Sequence, residues 1–145
     1  MVVPSVIWKR KYVGSLSECE AVREFVRWAC HTSGLVNKKV VAEVGLCVHE
    51  AFANIALHGY RNQQNTRPVM IECRVNKEEI TIDIYDRGEP FDPDKSKVQE
   101  GRGLHLMQRF ADIISFSPKK DTLDWNRLTM SKKIGADRTG EDSNL

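Results

Sequence analysis

Val69-Met70-Ile71-Glu72-Cys73-Arg74-Val75 and, four residues later, Ile80-Thr81-Ile82-Asp83-Ile84-Tyr85-Asp86 are two segments written in a period of two. Val69, Ile71, Cys73 and Val75 alternate with Met70, Glu72 and Arg74, and the isoleucines alternate with Thr81, Asp83 and Tyr85. This is the signature of half-buried strands. The spacing predicts a hairpin that turns at residues 76–79. Counting by two along its second strand puts Asp86 on the isoleucine row. An unpaired carboxylate on a buried row is costly, so Asp86 needs a donor, either structural or the exocyclic amine of a purine.

Upstream, residues 37–58 place Val41, Val44, Val48, Ala51, Phe52 and Ile55 at helical spacing, with Gly59 to close the helix. Residues 18–33 do the same with Ala21, Phe25, Trp28 and Ala29; Ser15 or Ser17 can cap that helix and Gly34 can end it. Val6–Val13 has strand composition. Downstream, a third helix follows Gly103, and strands are expected at Ile113–Ser117 and 123–133. The pattern predicts an α+β fold, a two-layer sandwich of three main helices on one mixed, mostly antiparallel sheet. Residues 1–134 read as a single domain. Residues 135–145, polar and without apolar periodicity, read as a disordered tail.

The chain has 145 residues, enough for one core, with 41% apolar and 29% charged residues, the balance of a soluble globular protein. A net charge of +2 and no basic block argue against direct nucleic-acid binding. Cys19, Cys30, Cys47 and Cys73 form no Cys-x-x-Cys pair and read as reduced, packed thiols. The short apolar run 2–8 precedes Lys9-Arg10-Lys11, the reverse of a secretory signal, and no segment reads as a membrane span. A cytoplasmic protein is expected.

Three short constellations carry chemistry. Glu50 and Asn54 lie four apart and therefore side by side on a helix, one suited to a proton and the other to a cation; alone, such a pair is what a solvated helix face also gives. His49-Glu50 is not a zinc motif, because the second histidine it needs would stand at Ala53. His58 suits the negative end of its helix. Asp86-Arg87-Gly88 is the second constellation, with a glycine that allows close backbone approach to a flat ligand, or simply a turn. Gly101-Arg102-Gly103-Leu104 is the third: glycines before an apolar helix present N–H groups to phosphate oxygens, and Arg102 adds charge.

In this order and spacing the three elements resemble the GHKL superfamily of histidine kinase-like ATPases, over roughly residues 15–134. Glu50-Ala51-Phe52-Ala53-Asn54-Ile55-Ala56-Leu57-His58-Gly59-Tyr60, Asp86-Arg87-Gly88-Glu89-Pro90-Phe91-Asp92-Pro93 and Gly101-Arg102-Gly103-Leu104 are similar to the bacterial anti-sigma-factor serine/threonine-protein kinases. That resemblance implies an ATP site with Mg²⁺. Asn54 would hold the metal, Asp86 would read adenine, Gly88 would line the base, and His58 would belong to the same nucleotide site. Gly101, Arg102, Gly103 and Leu104 would shape a lid, and Glu50 would be the catalytic base. It implies as partners an anti-anti-sigma (antagonist) protein carrying the substrate serine and a sigma factor bound by a homodimer. Two positions depart from the family pattern. Gln99 stands where some members carry an arginine, and Trp125-Asn126 where many carry Gly-Thr, so Asn126 would supply the polar contact. The alternative to a kinase is a non-catalytic nucleotide-binding module that sequesters a regulator.

Overall fold

Hydrogen bonding at each helix end follows the local sequence. In the computed structural model, which describes residues 5–61, 67–90, 104–121 and 124–134, a short 3₁₀ turn at Leu16–Glu18 leads into α1 (Cys19–Ser33). Ser15 Oγ accepts from Ser17 N–H at 3.4 Å at the start of that turn. Gly34 ends α1 with φ 69°, a left-handed conformation that glycine adopts without strain, and donates its N–H to His31 O. Asn37 caps α2 (Lys38–Asn54) by accepting from Val40 N–H at 2.8 Å.

Beyond Asn54 the helix does not continue as α to residue 58, as its periodicity predicts. Ile55–Gly59 is a π-helical turn, closed by Tyr60 N–H donating to Ile55 O at 2.7 Å. Such turns widen a helix by one residue and recur at functional sites.

Five strands, β1 (Val6–Val13), β2 (Pro68–Val75), β3 (Glu79–Asp86), β4 (Ile113–Ser117) and β5 (Asn126–Lys133), form one sheet in the order β1-β2-β3-β5-β4. Every pairing is antiparallel. The β2–β3 hairpin has the predicted register, with Ile71 opposite Ile84 and Cys73 opposite Ile82. Asn76 Oδ1 accepts from Glu78 and Glu79 N–H and builds its turn. Val69, Ile71, Cys73, Val75, Ile80, Ile82 and Ile84 are all buried in one cluster with α1 and α2.

The helix faces are rotated slightly from the expected ones. In α1 the buried residues are Cys19, Val22, Phe25, Val26, Ala29 and Cys30, whereas Ala21 is exposed and Trp28 is 47% exposed. Trp28 lies at the rim instead, edge-on to Trp8 of β1 at 5.6 Å and stacked on Phe25. In α2, Val40 and Cys47 join the core while Val41 is only half-buried, as is Ile55 of the π turn. Lys38–Gly59 is long and apolar enough to cross a bilayer by length and composition, but its apolar face is occupied by this core. All four cysteines are buried and outside any disulfide; burial pushes Cys30 up to about 12 and Cys47 up to about 11, which favours the protonated thiol at neutral pH.

The sheet's other face is polar and centres on Asp83, which is wholly buried. It accepts from Arg74 and Arg127 at 3.0 Å each and from Thr129 Oγ1 at 2.5 Å. Burial alone would raise its carboxyl, but these donors outweigh burial and hold it below the ordinary carboxylate range. A depressed folded value means that the stabilisation is present above the unfolded value and is lost as pH falls through the folded one. Asp83→Asn is therefore expected to cost about 1–2 kcal/mol at neutral pH and to flatten the acid limb of stability below about pH 4. Denaturant unfolding across pH checks this, and an unchanged acid limb in the variant would contradict it.

Candidate functional site

A cavity of about 530 Å³ opens between α2 with its π turn, the end of β3, α3 (Leu104–Phe110) and the β4–β5 corner. Ala51, Asn54, Ile55, His58 and Gly59 line one side; Asp86, Glu89 and Pro90 line the end. Met107, Gln108, Ala111, Asp112, Ile114, Ser115, Phe116, Asn126 and Leu128 form the remainder. Its volume is within the range of roughly 300–1,000 Å³ typical of small-molecule sites. Apolar surface predominates on the walls, and Asn54, His58, Asp86, Glu89, Gln108, Asp112, Ser115 and Asn126 supply the polar groups.

Asp86 is the most constrained of these. It ends the buried isoleucine row of β3 and pairs across the sheet with Asn126 of β5. Asn126 Nδ2–H and Gly88 N–H both donate to Asp86 Oδ1, at 3.0 and 2.8 Å. Among the described residues both of these bonds fall on the same oxygen. Burial pushes the carboxyl above its ordinary range, and the donors Asn126 and Gly88, together with the Lys119 charge, pull it back only in part. An acid held this way, with one oxygen engaged by protein and the group lining a cavity, can accept a hydrogen bond from an N–H in that cavity.

Asn126 is 1% exposed and spends its amide on the protein: besides Asp86 it donates to Gly88 O at 3.0 Å and accepts from Lys119 N–H at 2.8 Å. Lys119 Nζ in turn donates to Arg87 O at 2.7 Å. The β3 end and the turn after it are thereby fixed from both sides. Tyr60, just past the π turn, holds the same turn through a hydroxyl that accepts from Arg87 N–H at 2.8 Å and donates to Pro68 O at 2.6 Å. Tyr60 closes the first motif stretch without a role that the sequence assigns, and no motif marks Lys119; both roles follow only from contacts between distant segments.

Gly88 is not among the residues lining the cavity. Its bare Cα faces Gly59, where an added Cβ would come within 2.5 Å of the backbone C and O, while Glu89 N–H donates to Gly59 O at 2.9 Å. The π turn and the β3 end are thus seamed glycine to glycine. Gly88→Ala drives a methyl into backbone that has no free rotation, and is expected to cost about 3 kcal/mol of stability, the upper part of the overpacking range. Thermal unfolding checks it; a variant of unchanged stability would mean that the seam opens without cost.

Of the other residues singled out from sequence, Asn54 and His58 line the cavity on the α2 side. Glu50 lies one turn before Asn54, half-buried, and is not among the lining residues. Leu104 opens α3. Gly101, Arg102 and Gly103 of the expected lid fall outside the described residues, as does Gln99. Ile55, Met107, Phe116 and Leu128 complete the apolar walls and carried no sequence signal beyond apolarity.

An open antiparallel sheet under three helices, with a cavity whose end wall is a buried acid and whose side wall is a helix carrying Asn54, defines a class of nucleotide-handling domain. The chain belongs to the histidine kinase-like ATPase domain family, whose model matches residues 15–132. The chain is similar to several anti-sigma F factors. That of Thermoanaerobacter sp. (strain X514) is 28% identical over 111 residues, covering 68% of this chain and 73% of the relative. That of Oceanobacillus iheyensis is 29% identical over 112 residues, with the same coverages. That of Clostridium botulinum (strain Eklund 17B / Type B) is 30% identical over 106 residues, covering 65% of this chain and 71% of the relative.

Proposed function

We propose that this chain is an ATP-dependent protein serine kinase and anti-sigma factor of a partner-switching system, acting in the cytoplasm as a homodimer. In this reading it phosphorylates a serine of an antagonist (anti-anti-sigma) protein and otherwise holds a sigma factor. The observation that carries the reading is Asp86: a buried acid at the end wall of a cavity of about 530 Å³, with Oδ1 already satisfied by Asn126 and Gly88. An acceptor in that position reads the amine of adenine. Ile55, Met107 and Leu128 supply apolar surface for the ring, and Asn126 acts as a positioning residue through Asp86.

The residues present also fit Mg²⁺. That ion takes one or two protein oxygens and completes its shell with phosphate and water, so a single Asn54 on the cavity wall is a sufficient protein contribution. When bound, the metal would neutralise charge on the phosphates. Glu50, one helical turn away, takes the proton from the substrate serine, while the glycines of residues 101–103 and Arg102 serve the phosphates.

One observation favours a second reading. Glu50 is not in the cavity wall, as a non-catalytic module that binds nucleotide and sequesters a regulator would also have it. Incubation with γ-labelled Mg-ATP and a candidate antagonist (anti-anti-sigma) protein decides between them. Label on an antagonist serine is expected; bound nucleotide without phosphoserine selects the sequestration module, and neither signal removes both readings.

A further inference from the structure

β5 carries two strongly polar residues on the row that faces the helices. Asn126, opposite Asp86, serves the cavity; Lys132, opposite Ile80, stands at the far end. Lys132 is only 7% exposed, and lysine is almost never so buried unless paired. Its Nζ donates to Phe110 O at 2.5 Å and lies 3.4 Å from Glu43 Oε1, itself a buried atom that accepts no hydrogen bond among the described residues. Phe110 is the last residue of α3 and Glu43 belongs to α2. One ammonium therefore ties β5 to two helices.

Stability does not explain this arrangement, because a buried ion pair replaced by apolar residues of similar volume is often as stable or more so. Position does. The seven described residues of α3 are too few to hold a helix by themselves, and a cation on the last carbonyl suits the negative end of the helix dipole. The same corner is fixed twice more, by Asp112 N–H donating to Ser131 O at 2.9 Å and by Lys133 N–H donating to Asp112 Oδ2 at 2.6 Å. On the cavity side, α3 contributes Met107 and Gln108 to the wall.

We propose that Lys132 and Glu43 form a positioning pair that sets α3, and through it the α3 wall of the cavity, for nucleotide binding. The proposal rests on the reading of the cavity as an ATP site. The deciding variant is Lys132→Met with Glu43→Leu, since Lys132→Met alone leaves a buried carboxylate uncompensated and can fail to fold. Urea stability, Mg-ATP affinity by calorimetry and amide hydrogen exchange are measured on the full chain. The double variant is expected to be as stable as wild type yet to bind Mg-ATP about tenfold more weakly. Its amides at 108–111 should exchange roughly tenfold or more faster while those of β2 and β3 stay unchanged. Lys132→Arg, which keeps a cationic donor, should recover most of the affinity. Wild-type exchange at 108–111 in the double variant overturns the anchor, and wild-type affinity overturns its role in binding. A wild-type chain that binds no ATP removes the nucleotide reading, and the exchange result then decides the anchor by itself.

Discussion

Glu50→Gln is expected to bind Mg-ATP within about twofold of wild type and to transfer phosphate to the antagonist serine roughly 10²–10⁴-fold more slowly, the usual contribution of a positioned general base. Glutamine matches glutamate in shape and cannot take a proton. Because Glu50 is half-buried on α2 and outside the cavity wall, the substitution leaves Asn54, Asp86 and the apolar walls in place. Binding and transfer should therefore separate. The charge of Glu50 reaches Cys19 at the start of α1, where it adds to burial in raising that thiol. Single-turnover transfer with labelled ATP is the measurement. Equal rates for variant and wild type would leave Glu50 without the role of base and turn the case toward the sequestering module.

Asp86→Asn is expected to weaken ATP binding about a hundredfold, in line with the roughly 1.5–3 kcal/mol of a hydrogen bond to a charged group plus the mismatch of an amide facing an amine. Its carbonyl oxygen can keep the bonds from Asn126 and Gly88, so the fold loses nothing there. The amide then presents a donor to the ligand's donor. Stability should move the other way. Burial raises the Asp86 carboxyl in the folded chain, so the folded state holds its proton more tightly and stability declines as pH rises from the unfolded value through the folded one. Above that window the charged group is a standing cost, which asparagine removes. Calorimetric binding and denaturant unfolding at neutral pH give both numbers. A variant that binds ATP like wild type would show that Asp86 is a structural acid, and one that is also less stable would show that its charge is needed by the fold.

The hairpin and the row that ends at Asp86 were legible because a two-residue period leaves no choice of face: Ile80, Ile82 and Ile84 point inward, and so must Asp86. Helix faces are less determinate. Trp28 counts as apolar by composition, yet a ring that large at the rim covers Trp8 and Phe25 while half its surface stays in water; the small Val22, Val26 and Cys30 take the interior. Cys47, read from sequence as a packed thiol, goes to the core because a protonated thiol packs as a small hydrophobe. The cavity's end wall was half-legible. Asp86 and Asn126 could each be named, but the bond between them joins residues forty apart and follows only from β3 pairing with β5. Gly88 was named for closeness to a ligand, and the structure shows it close to Gly59. Lys132 carried no signal because a lysine near the end of a strand reads as surface until the register sets it opposite Ile80.

The π turn at Ile55–Gly59 makes the length of that segment as restrictive as its composition. A π turn holds one residue more than the α turn it replaces, so removing one residue there would restore a continuous α-helix. Everything after it would then swing by about 100° and rise by one step less. Gly59 would leave Gly88, and the Tyr60 hydroxyl would leave Arg87 and Pro68. Between Asn54 and Tyr60 the chain accordingly tolerates exchanges of side chain far better than any change of count, and a homologue one residue shorter there would have to close this end of the cavity by other means.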